Sequence, residues 1–239
     1  MVTGASSGIG RATAELLAGS GARVALVARR EGRLEELAEA IRGGGGKALP
    51  LKADVRSMED MRRAAARCMD AWGRIDVLVN NAGVMPVAPL TELKVDDWDH
   101  MVDVNIKGVL HAVAAVLPSM LDAGSGHIVN VGSVAGRRPF PGGAVYSATK
   151  FAVRALTAGM QLELSAAEGI RITDVQPGVV DTELQGQNPE SYVRAFEESW
   201  QSRRMLQPED VASAILFAVS APSRMNVNEI LVRPTDQPT

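Results

Sequence analysis

Short runs of β-branched and aliphatic residues alternate with segments of helical periodicity along most of the chain. The helical segments include residues 31–41 and two longer ones, 95–117 and 146–164. Strands that alternate with helices predict βαβ units, a buried parallel sheet and helices on both of its faces. A further run, 47–52, is a weaker strand candidate because Pro50 limits its pairing. The clearer strand candidates are residues 23–28, 76–80, 126–131, 171–176 and 228–232.

The composition excludes several classes of protein. The 239 residues are 46% hydrophobic and carry a formal net charge of -3, so a general nucleic-acid binder is not expected. The single cysteine, Cys68, excludes an intramolecular disulfide and suits a reducing, cytoplasmic location. We expect neither a signal peptide nor a membrane span, because no basic start precedes an apolar stretch and no long uninterrupted apolar run occurs.

No linker rich in proline or serine divides the chain, so residues 1–239 are interpreted as one domain. The polar segment 182–208 lacks a strand pattern, and we interpret it as a helical lid that leaves the sheet. It contains Tyr192, Phe196 and Trp200, spaced four residues apart. At that spacing the three rings share one helix face. That face either covers a substrate or packs the lid against its own subunit.

Residues 3–10 read TGASSGIG, so three glycines follow a strand stub and open a helix. Glycines at such a turn let the backbone approach a pyrophosphate, whose charge is favourable at a helix N-terminus. Alone, the pattern also fits an ordinary strand-to-helix turn. Only three residues precede the turn, fewer than a central strand usually has. Either this strand is short or the numbered chain lacks native N-terminal residues.

The glycine spacing, G-x-x-x-G-x-G, resembles that of the classical short-chain dehydrogenase/reductase family. Further motifs in the family's order extend the resemblance over nearly the whole chain. It implies an α/β Rossmann-type domain with a doubly wound parallel sheet of about seven strands, which binds a nicotinamide dinucleotide and a small molecule. The further motifs are NNAG at 80–83, Asn105, Ser133, YSATK at 146–150 and PGVVDT at 177–182.

The resemblance implies cofactor contacts from several of these segments and from the residues after the third predicted strand. Asp54 would meet the adenine edge and Val55 would add a backbone contact, while Val179 and Thr182 would hold the nicotinamide carboxamide. The NNAG stretch would brace the sheet as well as wall the cofactor. The other implied cofactor residues are Gly4, Ser6, Ser7, Gly8, Ile9, Gly10, Asn81, Ala82, Gly83, Tyr146, Lys150, Pro177 and Gly178.

The end of the second predicted strand indicates which dinucleotide is bound. Folds that prefer NAD place an acid there, about 20 residues past the glycine turn, for the ribose 2′-hydroxyl. Here Ala28 takes that place, followed by Arg29 and Arg30, whose guanidinium groups could pair with a 2′-phosphate. We therefore predict NADP(H), with Arg29 as the main contact. The alternative is a solvated pair of arginines at a helix start.

Tyr146 and Lys150 are four residues apart, so one helix face presents both. Lowering a phenol pKa from about 10 to about 7 needs about 4 kcal/mol. An ammonium group about 4 Å away supplies about that much at an effective dielectric constant of about 20. We therefore expect Lys150 to lower the pKa of Tyr146, which would act as a general acid and base.

Two further residues complete the predicted catalytic set. Ser133 ends a predicted strand at its carboxyl edge, where α/β sheets bind ligands, and could orient the substrate carbonyl. The resemblance implies that Asn105 binds a water that connects Lys150 to solvent. Without that resemblance, Asn105 would be interpreted as a satisfied polar residue of the core or as a helix kink.

An apolar pocket is expected to favour a hydrophobic or aryl ketone or aldehyde. The tail at 228–237 lacks the V-D-G-G stretch of many 3-oxoacyl-carrier-protein reductases. It resembles instead that of clavaldehyde reductases and short-chain 3-hydroxy acid dehydrogenases. The predicted pocket walls, besides the lid aromatics, are Met85, Val134, Phe140 and Met205.

Several alternatives stay open at this point. The enzyme alternatives are a 3-hydroxy acid dehydrogenase and a 3-oxoacyl reductase. An epimerase or dehydratase on this fold is disfavoured, because such relatives are usually longer and have a larger nucleotide-sugar domain. A sensor that binds NADPH without turnover is a different class, but its expected signature is a missing catalytic residue. The three histidines are scattered, so no metal site is expected. The resemblance also implies a homotetramer that pairs the helices at 95–117 and 146–164.

Overall fold

Seven parallel strands form one sheet in the computed structural model, which describes residues 1–165, 169–188 and 204–237. The strands are β1 (Val2–Thr3), β2 (Arg23–Ala28), β3 (Lys47–Lys52), β4 (Val77–Asn80), β5 (Gly126–Val131), β6 (Ile170–Pro177) and β7 (Glu229–Val232). Their order across the sheet is β3-β2-β1-β4-β5-β6-β7. This order confirms the predicted doubly wound, Rossmann-type sheet.

Helices cover both faces of the sheet. They are α1 (Gly8–Gly19), α2 (Glu31–Gly43), α3 (Met58–Trp72), α4 (Val95–Val102), α5 (Gly108–Asp122), α6 (Ala144–Met160) and α7 (Pro208–Ser220). The first two and α7 pack on one face, whereas α3, α5 and α6 pack on the other. Strand β2 shows the division, because Leu26 points into the first layer and Val27 into the second. Burial on both faces explains why β2 and β4 read as nearly continuous aliphatic runs.

The first strand is short in this structure, yet it is central. Val2 pairs with Leu26 on one side and with Val79 on the other. The ammonium group of Met1 extends the contact by donating to the carbonyl of Val77 at 2.7 Å. Strand β3, in contrast, lies at the edge and pairs with β2, which is where a strand that contains Pro50 can be accommodated.

The long helix predicted at 95–117 differs from the prediction in two ways. It is interrupted by a π-helical turn at Asp103–Lys107, and it continues through Pro118 to Asp122. Pro118 removes the hydrogen bond to the carbonyl of Ala114. Both residues lie on the exposed face, so water can satisfy that carbonyl. Burial of the next turn, where Met120 is fully enclosed, offsets the cost of the proline.

No membrane span is expected from the sequence, and one helical stretch of the structure can be compared with that expectation. Val95–Asp122 is long and apolar enough to cross a membrane by length and composition alone, with a mean hydropathy of 1.5 in its most apolar window. In this fold 44% of that window is buried inside the protein. Met101, Val109 and Val116 of this stretch pack into the core beside the sheet.

The predicted functional segments gather at one edge of the sheet. Gly4 follows β1, Arg29 follows β2, Asn81 follows β4, Ser133 follows β5 and Gly178 follows β6. Because all strands are parallel, these positions lie at the carboxyl edge, where open α/β sheets form their ligand crevice.

Candidate active site

The glycine turn at the start of α1 has backbone conformations that favour glycine. Gly4 and Gly8 have φ angles of +65° and +52°. A Cβ atom on Gly10 would lie 2.3 Å from the carbonyl oxygen of Gly4, so a side chain there would push the turn apart. The first turn of α1 contains no acidic residue, and Ser7 makes no side-chain capping bond. The helix N-terminus is therefore open to an anion.

Thr3 and Asn81 lock this turn to the end of β4. The hydroxyl of Thr3 accepts hydrogen bonds from the backbone N–H groups of Asn81 at 3.0 Å and Ala82 at 3.1 Å. The side-chain amide of Asn81 donates to the carbonyl of Thr3 at 3.0 Å. The bracing expected of the NNAG stretch is therefore present.

The two arginines after β2 differ in their surroundings. Arg30 donates to the hydroxyls of Ser6, at 3.0 and 3.1 Å, and Ser7, at 2.6 Å. Arg29 is exposed and forms no ion pair with any residue that the structure describes. Both arginines line the cleft. Arg30 is thus fixed against the glycine turn, whereas the Arg29 guanidinium remains accessible.

Asp54 lies in the cleft beyond β3, but its carboxylate is already engaged. Arg56 donates to it at 2.6 Å, and this contact holds the pKa of Asp54 below its usual value. The carbonyl of Val55 is bonded to the His111 ring at 2.9 Å. The Asp54 carboxylate and the Val55 carbonyl, which are expected near an adenine ring, are therefore held in place by Arg56 and His111.

Tyr146, Ser133 and Lys150 come together at the other end of the cleft. Each is at most 9% exposed, and all three line the cavity. A Cβ on Gly136 would lie 2.8 Å from the carbonyl oxygen of Lys150, so this glycine lets α6 approach the turn that follows Ser133. The Ser133 hydroxyl accepts from the N–H of Ala135 at 3.0 Å, which fixes its position.

Electrostatics at this end differ from the sequence-based expectation. Burial raises the pKa of Tyr146 to about 12, against the opposing effect of its hydrogen bond with Ser133. Burial also lowers the pKa of Lys150 to about 8, although the nearby charge of Asp174 opposes that shift. The prediction that Lys150 brings the tyrosine pKa towards 7 was wrong for this structure. The cost of burying a phenolate sets the direction of the shift, and the effect that opposes it comes from Ser133 rather than from Lys150.

Asn105 is both satisfied and at a helix irregularity. Its side chain accepts from the N–H of Val84 at 2.9 Å and donates to the carbonyl of Val84 at 3.0 Å and to Thr149 at 3.1 Å. It lies within the π-helical turn, a feature frequent at functional sites. A Cβ on Gly83 would lie 3.4 Å from Asn105 Oδ1 and 4.0 Å from Lys150 Nζ. The asparagine and the lysine therefore face each other across Gly83.

Residues 1–192 match the family model for short chain dehydrogenases. The chain belongs to the short-chain dehydrogenase family. It is 43% identical over 240 residues to an uncharacterized oxidoreductase of Listeria monocytogenes, with 100% of this chain and 96% of that protein covered. This short-chain dehydrogenase is therefore an oxidoreductase.

Solved structures agree with the assignment to the family. A serine dehydrogenase in its closed form, complexed with NADP+, superimposes with a TM-score of 0.93 at 34% identity, covering 100% of this chain and 95% of that one. An alcohol dehydrogenase from the archaeon Thermococcus sibiricus, complexed with 5-hydroxy-NADP, gives 0.88 at 31% identity, covering 100% and 97%.

The cleft of this short-chain dehydrogenase has a volume of about 1530 Å³ and runs from Arg29 to Tyr146. Met85, Val134 and Phe140 line it as predicted, and the Phe140 ring lies 6.4 Å from that of Tyr146. Met205 does not line it and is 38% exposed. The predicted aromatic stripe, Tyr192, Phe196 and Trp200, lies outside the described residues.

Sequence reasoning missed several side chains in the cleft. The side chain of Gln237 accepts from the N–H of Val179 at 3.1 Å, a donor expected to hold the nicotinamide carboxamide. Thr182, expected beside it, accepts from the N–H of Leu184 at 3.3 Å and lies against Gly8. Glu183, Arg137 and Arg233 also line the cleft. They lie beyond the recognised motifs, and their placement depends on how loops fold back over the sheet.

Among the described residues, no group of three His, Cys, Asp or Glu side chains could hold a metal ion. His127, one of the scattered histidines, is 1% exposed and bonded to Thr173 at 2.8 Å. It lies in the strand layer rather than in the cleft.

Proposed function

We propose that this short-chain dehydrogenase interconverts a ketone or aldehyde and the corresponding alcohol with NADP(H). The observation that carries the proposal is one continuous cleft with an anion-binding glycine turn at one end and buried Tyr146, Ser133 and Lys150 at the other. A dinucleotide spans such a cleft when its pyrophosphate lies at the helix N-terminus.

The residues present fit a dinucleotide. The open N-terminus of α1 would hold the pyrophosphate, since no side chain caps it. The walls would be formed by Gly83 and Val179 near the nicotinamide and by Asp54 and Val55 near the adenine. Lys150 would also hold the nicotinamide ribose, as the family resemblance implies.

NADP(H) is favoured over NAD(H) by charge. The residue at the end of β2 is Ala28, so no carboxylate is placed there for a ribose 2′-hydroxyl. Arg29, which forms no ion pair with a described residue, offers a guanidinium for a 2′-phosphate. The NADP of the two solved structures is consistent with this choice.

In the proposed reduction, Tyr146 donates its phenolic proton to the substrate oxygen as negative charge develops there. NADPH, when bound, supplies the hydride to the carbonyl carbon. A pKa of about 12 keeps Tyr146 protonated at neutral pH, which suits a proton donor. The Ser133 hydroxyl holds the same oxygen, and Lys150 stabilises the developing charge with its ammonium group. Asn105 faces Lys150 across Gly83 and would support its reprotonation.

The apolar walls formed by Met85, Val134 and Phe140 favour a hydrophobic or aryl carbonyl compound. A second candidate, a 3-hydroxy acid dehydrogenase, is favoured by a specific observation. Arg233 lines the same cleft, and an arginine can bind a carboxylate in bidentate fashion. Arg137 also lines the cleft, but its guanidinium is already paired with Glu229. The solved serine dehydrogenase acts, by its name, on a hydroxylated amino acid.

We also propose that the protein is a homotetramer through α5 and α6. These helices expose large apolar side chains, which a partner subunit would cover. They are Leu110, Leu121 and Phe151. Light scattering should give four times the mass of one chain, and a monomeric mass would refute the proposal.

The function is tested by offering the purified protein NADPH or NADH with a panel of aryl ketones, aldehydes, 3-oxo esters and 3-oxo acids. Consumption of NADPH in preference to NADH supports the role of Arg29, and Arg29→Ser should then reduce the preference. A preference for NADH contradicts the cofactor assignment but leaves the chemistry standing. Turnover of 3-oxo acids but not of their esters selects the second candidate.

A further inference from the structure

Glu183 forms two ion pairs at the adenosine end of the cleft. Its carboxylate oxygens lie 2.8 Å from Nη1 of Arg30 and 2.6 Å from Nη1 of Arg33. Glu183 lies in the loop after β6. Arg33 lies in the first turn of α2, and Arg30 immediately precedes that helix. The contact therefore connects the loop next to the nicotinamide residues with the segment proposed to hold the 2′-phosphate.

This contact involves the third nitrogen of the Arg30 guanidinium. The Nε and Nη2 groups already donate to the hydroxyls of Ser6 and Ser7, and Nη1 donates to Glu183. The paired guanidinium groups hold the pKa of Glu183 at about 2, so the glutamate is an anion at neutral pH. The arrangement is an anion site that the chain fills with its own carboxylate.

The position of Glu183 is set by its neighbour. Thr182 Cγ2 would lie 3.1 Å from a Cβ on Gly8, so the loop packs directly on the glycine turn. The next residue along the chain is thereby brought over the Arg30 side chain. Glu183 also lines the same cleft as Arg29 and Ser7, which places its carboxylate beside the groups that a 2′-phosphate would approach.

We propose that Glu183 determines cofactor specificity by competing with the 2′-phosphate of NADP(H) for Arg30. A 2′-phosphorylated dinucleotide must displace the carboxylate or bind beside it, because like charges on one guanidinium repel each other. A dinucleotide with a free 2′-hydroxyl meets no such competition. Glu183 thus lowers the affinity of the protein for NADPH. It also makes the preference of the protein for NADPH over NADH smaller. This inference rests on the proposed function.

The expected effect is modest. The side chains of Arg30, Arg33 and Glu183 are all about half exposed, and exposed ion pairs are weak and screened by salt. Removing the carboxylate should raise the affinity for NADPH by about three- to tenfold at low salt, and by less at high salt.

The test compares the dissociation constants of NADPH and NADH for the wild-type protein, Glu183→Gln and Glu31→Gln, by titrating nicotinamide fluorescence. Glu31 is a matched control, since it lies at the start of the same helix and pairs with Lys52 at 3.2 Å rather than with Arg30. We expect tighter NADPH binding by Glu183→Gln only. NADH binding should change by less than about twofold in both variants. Glu183→Ala should reproduce the effect.

Other results would overturn the inference. Unchanged NADPH affinity in Glu183→Gln would show that the carboxylate does not compete. Weaker binding of both dinucleotides would show that Glu183 instead fastens the loop over the cofactor. An equal gain in NADPH affinity by Glu31→Gln would show that the effect comes from the change in net charge rather than from the position of Glu183. If the wild-type protein binds NADH but not NADPH, the proposed cofactor is itself wrong and the inference fails with it.

Discussion

The Nζ atom of Lys150 lies 5.8 Å from the centre of the Tyr146 ring and donates to the carbonyl of Val131 at 2.9 Å. The ammonium group is therefore near the phenol but is held by the end of β5. Both side chains are buried, and burial moves their pKa values in opposite directions, to about 8 for the lysine and about 12 for the tyrosine. The neutral phenol and the lysine cation coexist below about pH 8.

The first prediction concerns the pH dependence of carbonyl reduction. Lys150 is a cation whose pKa is lowered to about 8, so its charge is present below that pH and lost above it. We expect kcat/KM for reduction to fall as the pH rises through about 8. In Lys150→Arg the side chain stays charged above pH 8. The kcat/KM of this variant, although lower overall, should therefore not fall as the pH rises through about 8. A wild-type profile that stays flat to pH 10 would contradict this role of Lys150.

The second prediction concerns the glycine turn. A Cβ on Gly10 would lie 2.3 Å from a backbone oxygen, which cannot swing away as a flexible side chain could. Gly10→Ala should therefore destabilise the fold by about 1–3 kcal/mol and lower Tm by about 3–10 °C. It should also abolish dinucleotide binding. Gly19→Ala is the control, because Gly19 lies in the same helix with nothing within 4 Å. Equal Tm values for the two variants would contradict the steric argument.

The third prediction concerns acid stability. Burial and the nearby charge of Arg171 lower the pKa of His127 to about 3, from 6.5. The fold thus favours the neutral form of His127. Below about pH 6.5 the unfolded chain binds a proton that the folded protein does not, so the free energy of unfolding falls by about 1.4 kcal/mol per pH unit until the pH approaches 3. The free energy of unfolding of His127→Leu, measured with urea, should therefore depend less on pH in this range than that of the wild type.

Thr173→Val provides the control for that experiment. It removes the hydrogen-bond partner of His127 but keeps the titrating ring. Its free energy of unfolding should therefore be lower at all pH values and should still fall with acid. If His127→Leu and the wild type lose stability in parallel from pH 6.5 to 4, His127 is not the group responsible.

The sheet was predictable because central strands such as β2 and β4 are buried on both faces and are therefore almost wholly aliphatic. Strand β3 was a weaker prediction because Pro50 limits its pairing, and the structure places it at the edge of the sheet. The motifs at strand ends could be placed at one edge of the sheet for the same reason: parallel strands bring their carboxyl ends together. The family resemblance then gave the order and the roles of these motifs.

Features that depend on burial or on distant contacts were not predictable from sequence. The sequence indicates only that an ammonium group lies near Tyr146, whereas desolvation controls the pKa of Tyr146 in the fold. The helix through Pro118 continues because the affected carbonyl faces solvent. Glu183 meets Arg30 across 153 positions of sequence, and no local pattern predicts such a contact.

The most direct test of the account is NADPH consumption by Tyr146→Phe, compared with the wild type on a carbonyl substrate that the wild type reduces. Phenylalanine retains the ring that packs beside Phe140 and lacks the hydroxyl group, and with it the proton to be donated. We predict a loss of at least about 100-fold in kcat, while the variant still binds NADPH. A variant that binds NADPH and retains wild-type turnover would contradict Tyr146 as the proton donor and, with it, the proposed mechanism.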